Sequence, residues 1–466
     1  MATEQSSKSA TAKSEGLIRT FLKATELDVR ILGMLGALLL VWCTFDVLSG
    51  LIQPNASIFS GLFLTPRNLW TLLVQTSSIA VMATGMVLVI VMRQIDLSVG
   101  SMLSMLAVAG AMVQVFMLGP WLGVGHPIIW VAGVATCLVL GTLVGVFNGV
   151  LTAYLQIPSF IVTLGGLIAY SGIAFLLASG VTIAPLDQTY DIIGGGVPQS
   201  WLGPMWSWVL GLAACALIVF GILSGRKQRR RFSFPLRPVW AEIVLASIGS
   251  AAVLLTTYVV NSYPWPFGLI KQYAQDHNVT IPVGDANSDG NAICMAGDQV
   301  VRCMDGLVYY TGYAVPVLIA LMVGAVMTFV ATRTKFGRYI YAIGGNPEAA
   351  ELAGINTRMV TVKVFALMGF LAGLSAVISS ARLDAATNAL GQSNELYVIA
   401  ATVIGGTSLA GGIGTVYGAL LGALLMQSIQ SGMQLLNLPA AFQNIVVGTV
   451  LVMAVFVDQL YRRRVK

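Results

Sequence analysis

The stretch AIGGNPEAAELAGINTRM, residues 342–359, is a short polar segment enclosed by two strongly apolar blocks. Asn346 is a suitable helix N-cap, and Pro347 suits the first helical position, where a missing N–H costs nothing. Glu348 lies near the positive end of the helix dipole, and Gly354 suits the residue that follows a helix end. The pattern predicts a helix of about seven residues, roughly 10 Å long, which is too short to be stable alone.

The composition indicates that lipid surrounds most of this chain. Of the 466 residues, 57% are hydrophobic and 9% are charged, and the mean hydropathy is +0.84. An average soluble domain is about a quarter charged. The 50 glycines fit this picture, because small residues let membrane helices approach closely. Residues 1–15 lack the pattern of a cleavable signal peptide and are interpreted as a disordered tail.

Apolar blocks long enough to cross a bilayer recur along the chain, since a crossing needs about 20 mostly apolar residues. Two or three of the blocks are short or broken by glycine. We therefore expect an all-α polytopic membrane helix bundle of 10–12 transmembrane helices, built as two pseudo-repeat halves. The twelve blocks are 31–51, 70–92, 99–118, 127–149, 159–178, 205–223, 241–262, 312–331, 361–380, 395–411, 413–430 and 442–458.

The distribution of positive charge predicts the orientation. With the N-terminus in the cytoplasm, 21 of the 25 Lys and Arg residues fall on the inner side, which satisfies the positive-inside rule. An even number of crossings then places both termini, and residues 342–359, in the cytoplasm. Because the basic residues sit at the ends of apolar blocks, the net charge of +6 does not indicate nucleic-acid binding.

Four motifs resemble one known family. They are QIDLSVGSM (94–102), NGVLTAYLQIPSFIVTLGG (148–166), FGRYIYAIGGNPEAAELAGIN (336–356) and VIGGTSLAGGIGTVYGALLGA (403–423). In this order and over most of the chain, they resemble the ribose/xylose-type monosaccharide permease family of ABC importers. EAAELAGIN itself resembles the cytoplasmic coupling loop of such permeases.

Two further segments resemble the xylose branch of that family. These are the start FLKATELDVRILGMLGALL (21–39) and the basic loop and span around 224–262, which ribose-type members lack. The long outer loop at about 263–311 departs from both branches. The resemblance implies a single transmembrane permease domain over 16–462, with a periplasmic insertion at about 263–311, a cytoplasmic coupling loop at 332–360 and a cytoplasmic tail at 463–466.

The resemblance implies a function and a set of partners. The chain is expected to be the membrane subunit of an importer that moves a pentose, D-xylose, from periplasm to cytoplasm across the bacterial inner membrane. Its expected partners are a second copy of itself, an ABC ATPase subunit that holds ATP and Mg, a periplasmic sugar-binding protein and the lipid bilayer. The chain itself is expected to hold no cofactor. The alternatives are a permease for another sugar such as ribose, a stand-alone secondary sugar carrier, and a membrane scaffold or sensor.

The sequence shows neither an ATPase motif nor the buried acidic and histidine residues expected of a proton-driven carrier. It contains no G-x-x-x-x-G-K-[ST] phosphate loop, and its two histidines, His126 and His277, fall in predicted loops. Asp46, inside a predicted span, is interpreted as a cap or a solvated group rather than a proton site. The energy for transport would then come from contact with a partner protein through the polar helix of residues 342–359. The alternative is that this helix is only a capped connector between two spans. We expect the coupling residues to be Asn346, Pro347, Glu348, Ala349, Ala350, Glu351 and Gly354, with Ala349, Ala350 and Ala353 as the small apolar docking side.

Two stretches are predicted to break helices at corresponding places in the two halves. In MRQIDLSVGS, Asp96 could N-cap a helix that begins near Leu97, and GGTSLAGGIGT (405–415) holds five glycines in eleven residues. Broken membrane helices often line transport sites, although tight packing and ordinary caps are the alternative. Candidate residues of a substrate path are Asp96, Ser98, Asn148, Ser159, Thr163 and Thr407, with pairing to a neighbouring helix as the alternative for Asn148, Ser159 and Thr163.

The outer loop supplies two weaker candidates. Cys294 and Cys303 could form a disulfide in an oxidising periplasm, whereas Cys43, Cys137 and Cys215 lie in spans as small apolar residues. Asp285, Asn287 and Asp289 match the first half of a calcium loop. Position twelve of that loop is Ala296 rather than Glu, so a polar turn is the alternative and no metal site is predicted with it.

Overall fold

A computed structural model describes residues 25, 29–52, 60–123, 125–266, 293–296, 299–302 and 310–465. Helices dominate these residues. The helices are α1 (Val29–Leu51), α2 (Pro66–Val91), α3 (Val99–Met112), continued by a π-helical segment (Val113–Leu118), α4 (Gly119–Leu122), α5 (Pro127–Ala153), α6 (Ser159–Ala178), α7 (Gln188–Gly194), a 3-10 turn (Pro198–Ser200), α8 (Gly203–Arg231), α9 (Val239–Asn261), α10 (Val315–Arg333), α11 (Lys335–Gly345), α12 (Pro347–Leu352), α13 (Thr357–Leu383), α14 (Asn394–Ile404), α15 (Val416–Leu435) and α16 (Ala440–Val465). Strands β1 (Ile293–Ala296) and β2 (Gln299–Arg302) pair antiparallel.

Each of the twelve predicted apolar blocks contains a helix of the structure. Within the described residues, nine helices are long and apolar enough to cross a membrane, and α14 and part of α16 are shorter apolar helices. The predicted all-α polytopic bundle is therefore confirmed. The count of 10–12 crossings, the two pseudo-repeat halves and the cytoplasmic placement of both termini stay predictions.

Helix α2 forms the centre of the bundle. Thr65 caps its start by accepting a hydrogen bond from the Asn68 backbone N–H at 3.4 Å, and Pro66 occupies the first position. From Thr76 to Val91 every residue is buried, because α10, α13, α14 and α15 pack around the helix. A helix that is apolar on all sides fits such a central place.

Glycine determines the packing of α5 on α13, the most extensive helix pair in the bundle. A Cβ added to Gly141 would lie 2.4 Å from the Gly369 carbonyl oxygen, and one added to Gly369 would lie 2.1 Å from the Gly141 carbonyl oxygen. Gly145 approaches the Phe365 carbonyl in the same way, and Gly373 approaches that of Cys137. Residues four apart share one helix face, so these glycines let the two backbones touch.

Three irregular segments interrupt the long helices. Residues 92–98 separate α2 from α3, and residues 405–415 separate α14 from α15, as predicted. Residues 384–393, between α13 and α14, form a third that the sequence did not reveal as part of the interior. There, the Gly391 N–H donates to the buried Ser104 hydroxyl of α3 at 3.0 Å. The segment thus enters the bundle, and α14 is left with only 11 residues.

Candidate functional site

The predicted polar helix is α12, and its start is capped as expected. The Asn346 side-chain oxygen accepts a hydrogen bond from the Ala349 N–H at 3.1 Å, and Pro347 is the first helical residue. Glu348 lies in the first turn, where a negative charge is favourable. The helix has six residues rather than about seven, because Ala353 already serves as the C-cap.

The end of α12 is equally well defined. Gly354 adopts a left-handed conformation with φ of 82°. Its N–H donates to the Glu351 carbonyl at 2.9 Å, and the Ile355 N–H donates to the Ala350 carbonyl at 3.1 Å. This pair of bonds is the Schellman arrangement, in which a glycine stops a helix without steric penalty. Both ends of this short element are thus fixed by its own sequence.

The exposed face of α12 differs from the predicted one. Ala350 is only 5% exposed, because it lies on the side that packs against the chain itself. Leu352, which the sequence reading did not select, is 90% exposed. It lies outside the apolar spans, so lipid does not account for its exposure. Within residues 347–353, the other exposed side chains are Glu348, Ala349, Glu351 and Ala353.

Beneath α12, three parts of the chain meet in a glycine junction, formed by Val91, Arg93, Gly344, Gly345 and residues 405–415. The Arg93 guanidinium donates to the carbonyls of Gly344 and Gly345 at 2.8 and 2.7 Å. The Gly412 N–H donates to the Val91 carbonyl at 2.9 Å. The end of α2 is thereby joined to the end of α11 and to the second interruption.

Close backbone approach is the basis of this junction. A Cβ on Gly344 would lie 1.8 Å from the Val91 carbonyl oxygen, and the Tyr341 hydroxyl donates to the Gly414 carbonyl at 2.7 Å. From the sequence, Arg93 was predicted only to add to the positive charge on the cytoplasmic side. A lone arginine directly after a long apolar block was the available signal, since a guanidinium can cap the free carbonyls of a helix end.

At the first interruption, four buried polar side chains form one network. One Asp96 carboxylate oxygen accepts from the Ser98 N–H at 2.9 Å and from the Ser98 hydroxyl at 2.6 Å. The Asn148 amide donates to the Ser98 hydroxyl oxygen at 3.2 Å, and the Tyr170 hydroxyl donates to the Asn148 oxygen at 2.6 Å. Helix α3 begins at Val99, two residues later than predicted, because Asp96 binds the backbone before the helix starts.

The remaining candidate path residues lie at both interruptions. The Ile95 N–H donates to the Ser159 hydroxyl at 3.2 Å, and the Thr163 hydroxyl donates to the Ser159 carbonyl at 2.8 Å. Thr407 lies at the second interruption, where its hydroxyl and that of Ser408 are buried without a hydrogen-bond partner. Asp96, Ser98, Asn148, Ser159 and Thr163 are thus brought together and bind neighbours within the chain, and their role in a path stays a prediction.

Three carboxyl groups gather at the opposite end of the bundle, and the sequence reading missed them. Asp187 and Asp191 are buried, and Asp384 accepts a hydrogen bond from the Leu186 N–H at 2.6 Å. Burial, followed by the negative charges of Asp384 and Asp187, raises the pKa of Asp191 to about 7. Asp187 and Asp191 are neighbours in the chain, but Asp384 lies almost 200 residues later, so only the packing of α7 on the end of α13 reveals the group.

Other predicted residues have local roles. Asp46 accepts a hydrogen bond from the Leu64 N–H at 2.9 Å, in the turn before α2. His126 caps α5 by accepting from the Ile128 N–H. Among the residues that the structure describes, no group of three or more His, Cys, Asp or Glu side chains is arranged so that it could hold a metal ion. His277, Cys303, the calcium candidates Asp285, Asn287 and Asp289, and the side chain of Cys294 lie outside the described residues.

Comparison with known proteins adds independent information. Residues 68–219 and 196–455 match the family described as branched-chain amino acid transport system / permease component. The xylose transport system permease protein XylH of Haemophilus influenzae is 32% identical over 443 residues, covering 95% of this chain and 99% of that protein. XylH of Escherichia coli is 36% identical over 404 residues, covering 87% and 88%.

A more distant relative is the ribose import permease protein RbsC of Escherichia coli. It is 28% identical over 403 residues, covering 86% of this chain and 88% of that protein. No solved structure matches the chain.

Proposed function

We propose, from the premise that the chain belongs to the family described as branched-chain amino acid transport system / permease component, that it is the membrane subunit of an ATP-driven importer of D-xylose. The choice of D-xylose as the substrate rests on sequence identity. The chain is 32–36% identical to xylose permeases over most of both chains, against 28% to a ribose permease. As a permease subunit, the chain is a multi-pass inner-membrane protein that does not hydrolyse ATP itself.

The proposed assembly contains two copies of this chain, two ATPase subunits that hold ATP and Mg, and a periplasmic sugar-binding protein. Closure of the ATPase pair would rock the two permease chains and open a path between them. The path residues proposed are those around the two interruptions: Asp96, Ser98, Asn148, Ser159, Thr163 and Thr407. Broken helices at membrane depth commonly serve this purpose in transporters.

The proposed contact with the ATPase is α12. Its support is the 90% exposure of Leu352 at the tip of a helix whose two ends are fixed by hydrogen bonds. An apolar side chain held in this way on a polar loop suits a groove on a partner. The glycine junction beneath α12 would carry its movement to the end of α2.

Reconstitution tests the transport function. Labelled D-xylose should enter proteoliposomes only when the ATPase subunit, the sugar-binding protein and ATP are all present. Unlabelled xylose should compete more strongly than ribose or arabinose. Uptake by this chain alone, driven by an ion gradient, would instead indicate a secondary carrier.

A pair of variants tests the role of α12. Leu352→Asp should weaken the affinity for the ATPase at least about tenfold, equivalent to about 1.4 kcal/mol, because an apolar anchor is replaced by a charge. Leu236→Asp provides the matched control, since Leu236 is 43% exposed on the polar loop between α8 and α9, outside the apolar spans. Binding of the ATPase to immobilised permease in nanodiscs is the measurement. Equal affinities for the two variants would exclude α12 as the docking element.

A further inference from the structure

A cleft of about 360 Å³ opens beside α12. Its floor contains the buried residues Met92 and Ile343, and its rim contains the exposed residues Arg93, Glu351 and Arg358. The lining comes from the ends of α2, α5 and α11, from α12 and from the first two turns of α13. The cleft is therefore a place where one ligand could touch several parts of the bundle at once.

The chemistry of the cleft favours a negatively charged ligand. The charged residues of the lining are two arginines, Arg93 and Arg358, and one glutamate, Glu351. Arg93 is held in place because two of its nitrogens bind the Gly344 and Gly345 carbonyls. Arg358 makes no hydrogen bond or ion pair with the residues that the structure describes, and it is exposed. A guanidinium with free N–H groups is a strong donor to carboxylate or phosphate oxygens.

We propose that this cleft receives a carboxylate side chain of the ATPase subunit, which Arg358 binds. This inference rests on the proposed function. A protein surface that covers α12 must also cover the mouth of the cleft, because Pro347 and Glu351 belong to both. The contact is thus reciprocal: α12 inserts into the ATPase, and an acidic side chain of the ATPase inserts beside α12.

The cleft supplies a mechanical link that α12 does not have by itself. With six residues, α12 packs mainly on its neighbours in sequence, α11 and α13. The cleft also borders Met92 at the end of α2 and Ala153 at the end of α5. A carboxylate bound there would hold the ends of three long helices, α2, α5 and α13, so that movement of the ATPase would reach the centre of the bundle directly.

Charge reversal at Arg358 tests this proposal. Arg358→Glu should weaken the affinity of the ATPase subunit at least tenfold, because it places two carboxylates where the partner brings a third. Arg358→Lys should lose less affinity, since it keeps the charge but not the bidentate geometry. The measurement is the Kd of the purified ATPase subunit for full-length permease in nanodiscs.

Arg338→Glu is the matched control. Arg338 is an exposed arginine of the neighbouring helix α11 that does not line the cleft. The change in net charge is identical, so a general electrostatic effect would move both variants equally. Equal thermal unfolding temperatures for the two variants and wild type would show that both remain folded.

The outcomes separate this inference from the proposed function. If Arg358→Glu binds the ATPase as wild type does while Leu352→Asp binds weakly, the cleft proposal is overturned and the docking role of α12 stands. If the wild-type chain does not bind an ATPase subunit at all, the proposed function fails. If inorganic phosphate stabilises wild type but not Arg358→Glu, and ATPase affinity is unchanged, the cleft is a site for a free anion and the proposal is overturned.

Discussion

The interruptions at residues 92–98 and 405–415 both remove helical hydrogen bonds from the interior of the bundle, but they replace them differently. At the first, side chains take over: Asp96 binds Ser98, and Asn148 and Tyr170 complete the network. At the second, the backbone itself takes over, as in the bond from the Gly412 N–H to the Val91 carbonyl.

The difference shows that the free backbone groups of a broken helix can be satisfied in two ways, and that the two ways respond oppositely to mutation. A side-chain network tolerates changes of size but not the loss of a donor or acceptor, because an unpaired buried polar group is costly. A backbone contact depends on the absence of side chains, so it tolerates no added atom. The second interruption even leaves the hydroxyls of Thr407 and Ser408 buried without partners.

The largest expected effect is that of a single methyl group on Gly344 of α11, which packs against Val91 and against Gly412 of the second interruption. Gly344→Ala should destabilise the fold by more than about 4 kcal/mol, because its Cβ would lie 1.8 Å from the Val91 carbonyl oxygen. The neighbouring Gly345→Ala is the control, since a Cβ there meets nothing within 4 Å. Thermal unfolding in detergent, together with folded yield, is the measurement. Similar yields for both variants would refute the backbone account of this interruption.

A side-chain deletion tests the first interruption. Asp96→Ala should cost about 3 kcal/mol, because it leaves the Ser98 N–H and hydroxyl without their acceptor. Asp96→Asn should cost much less. Its amide oxygen still accepts the two hydrogen bonds from Ser98. Chemical unfolding would compare the variants, and equal losses for Ala and Asn would mean that the charge rather than the acceptor matters.

A smaller deletion tests how far the first network extends. Tyr170→Phe should cost about 1–2 kcal/mol, because the buried Asn148 oxygen loses its 2.6 Å hydrogen bond. Tyr154→Phe is the matched control, since Tyr154 is 47% exposed. Differential unfolding temperatures measure the effect. A Tyr170→Phe variant as stable as the control would limit the network to Asp96, Ser98 and Asn148.

The smallest expected effect has the opposite sign. Thr407→Val should leave stability within about 1 kcal/mol of wild type or raise it, because the hydroxyl that it removes has no partner. The same substitution beside the first interruption, Thr163→Val in α6, should destabilise, since the Thr163 hydroxyl donates to the Ile95 carbonyl of that interruption at 3.2 Å. If Thr407→Val lost as much stability as Thr163→Val, the proposed difference between the two interruptions would be contradicted.

Most of the fold could be predicted, because lipid imposes a simple rule on composition. Every predicted block contains a helix, since apolar length is read directly from the sequence. The caps of α12 were predictable for a similar reason: Asn346 and Gly354 act on backbone groups within four residues of themselves.

The contacts within the candidate sites could be predicted only in part. The meeting of Arg93 with Gly344, or of Asp191 with Asp384, joins residues hundreds of positions apart through helix packing. The burial of Ala350 and exposure of Leu352 depend on how α12 is rotated against the bundle. The sequence of so short a helix does not specify that rotation, because both faces carry apolar side chains.

The glycine pair between α5 and α13 has a consequence for how this chain can evolve. Gly141 and Gly369 each lie against the carbonyl oxygen of the other, so neither can gain a methyl group first. Because the obstacle is backbone rather than a side chain, no substitution at the opposite position can make room. The pair can change only if the two helices first move apart along their whole contact face. Drift at these two positions is therefore blocked by geometry, whatever sugar the protein carries.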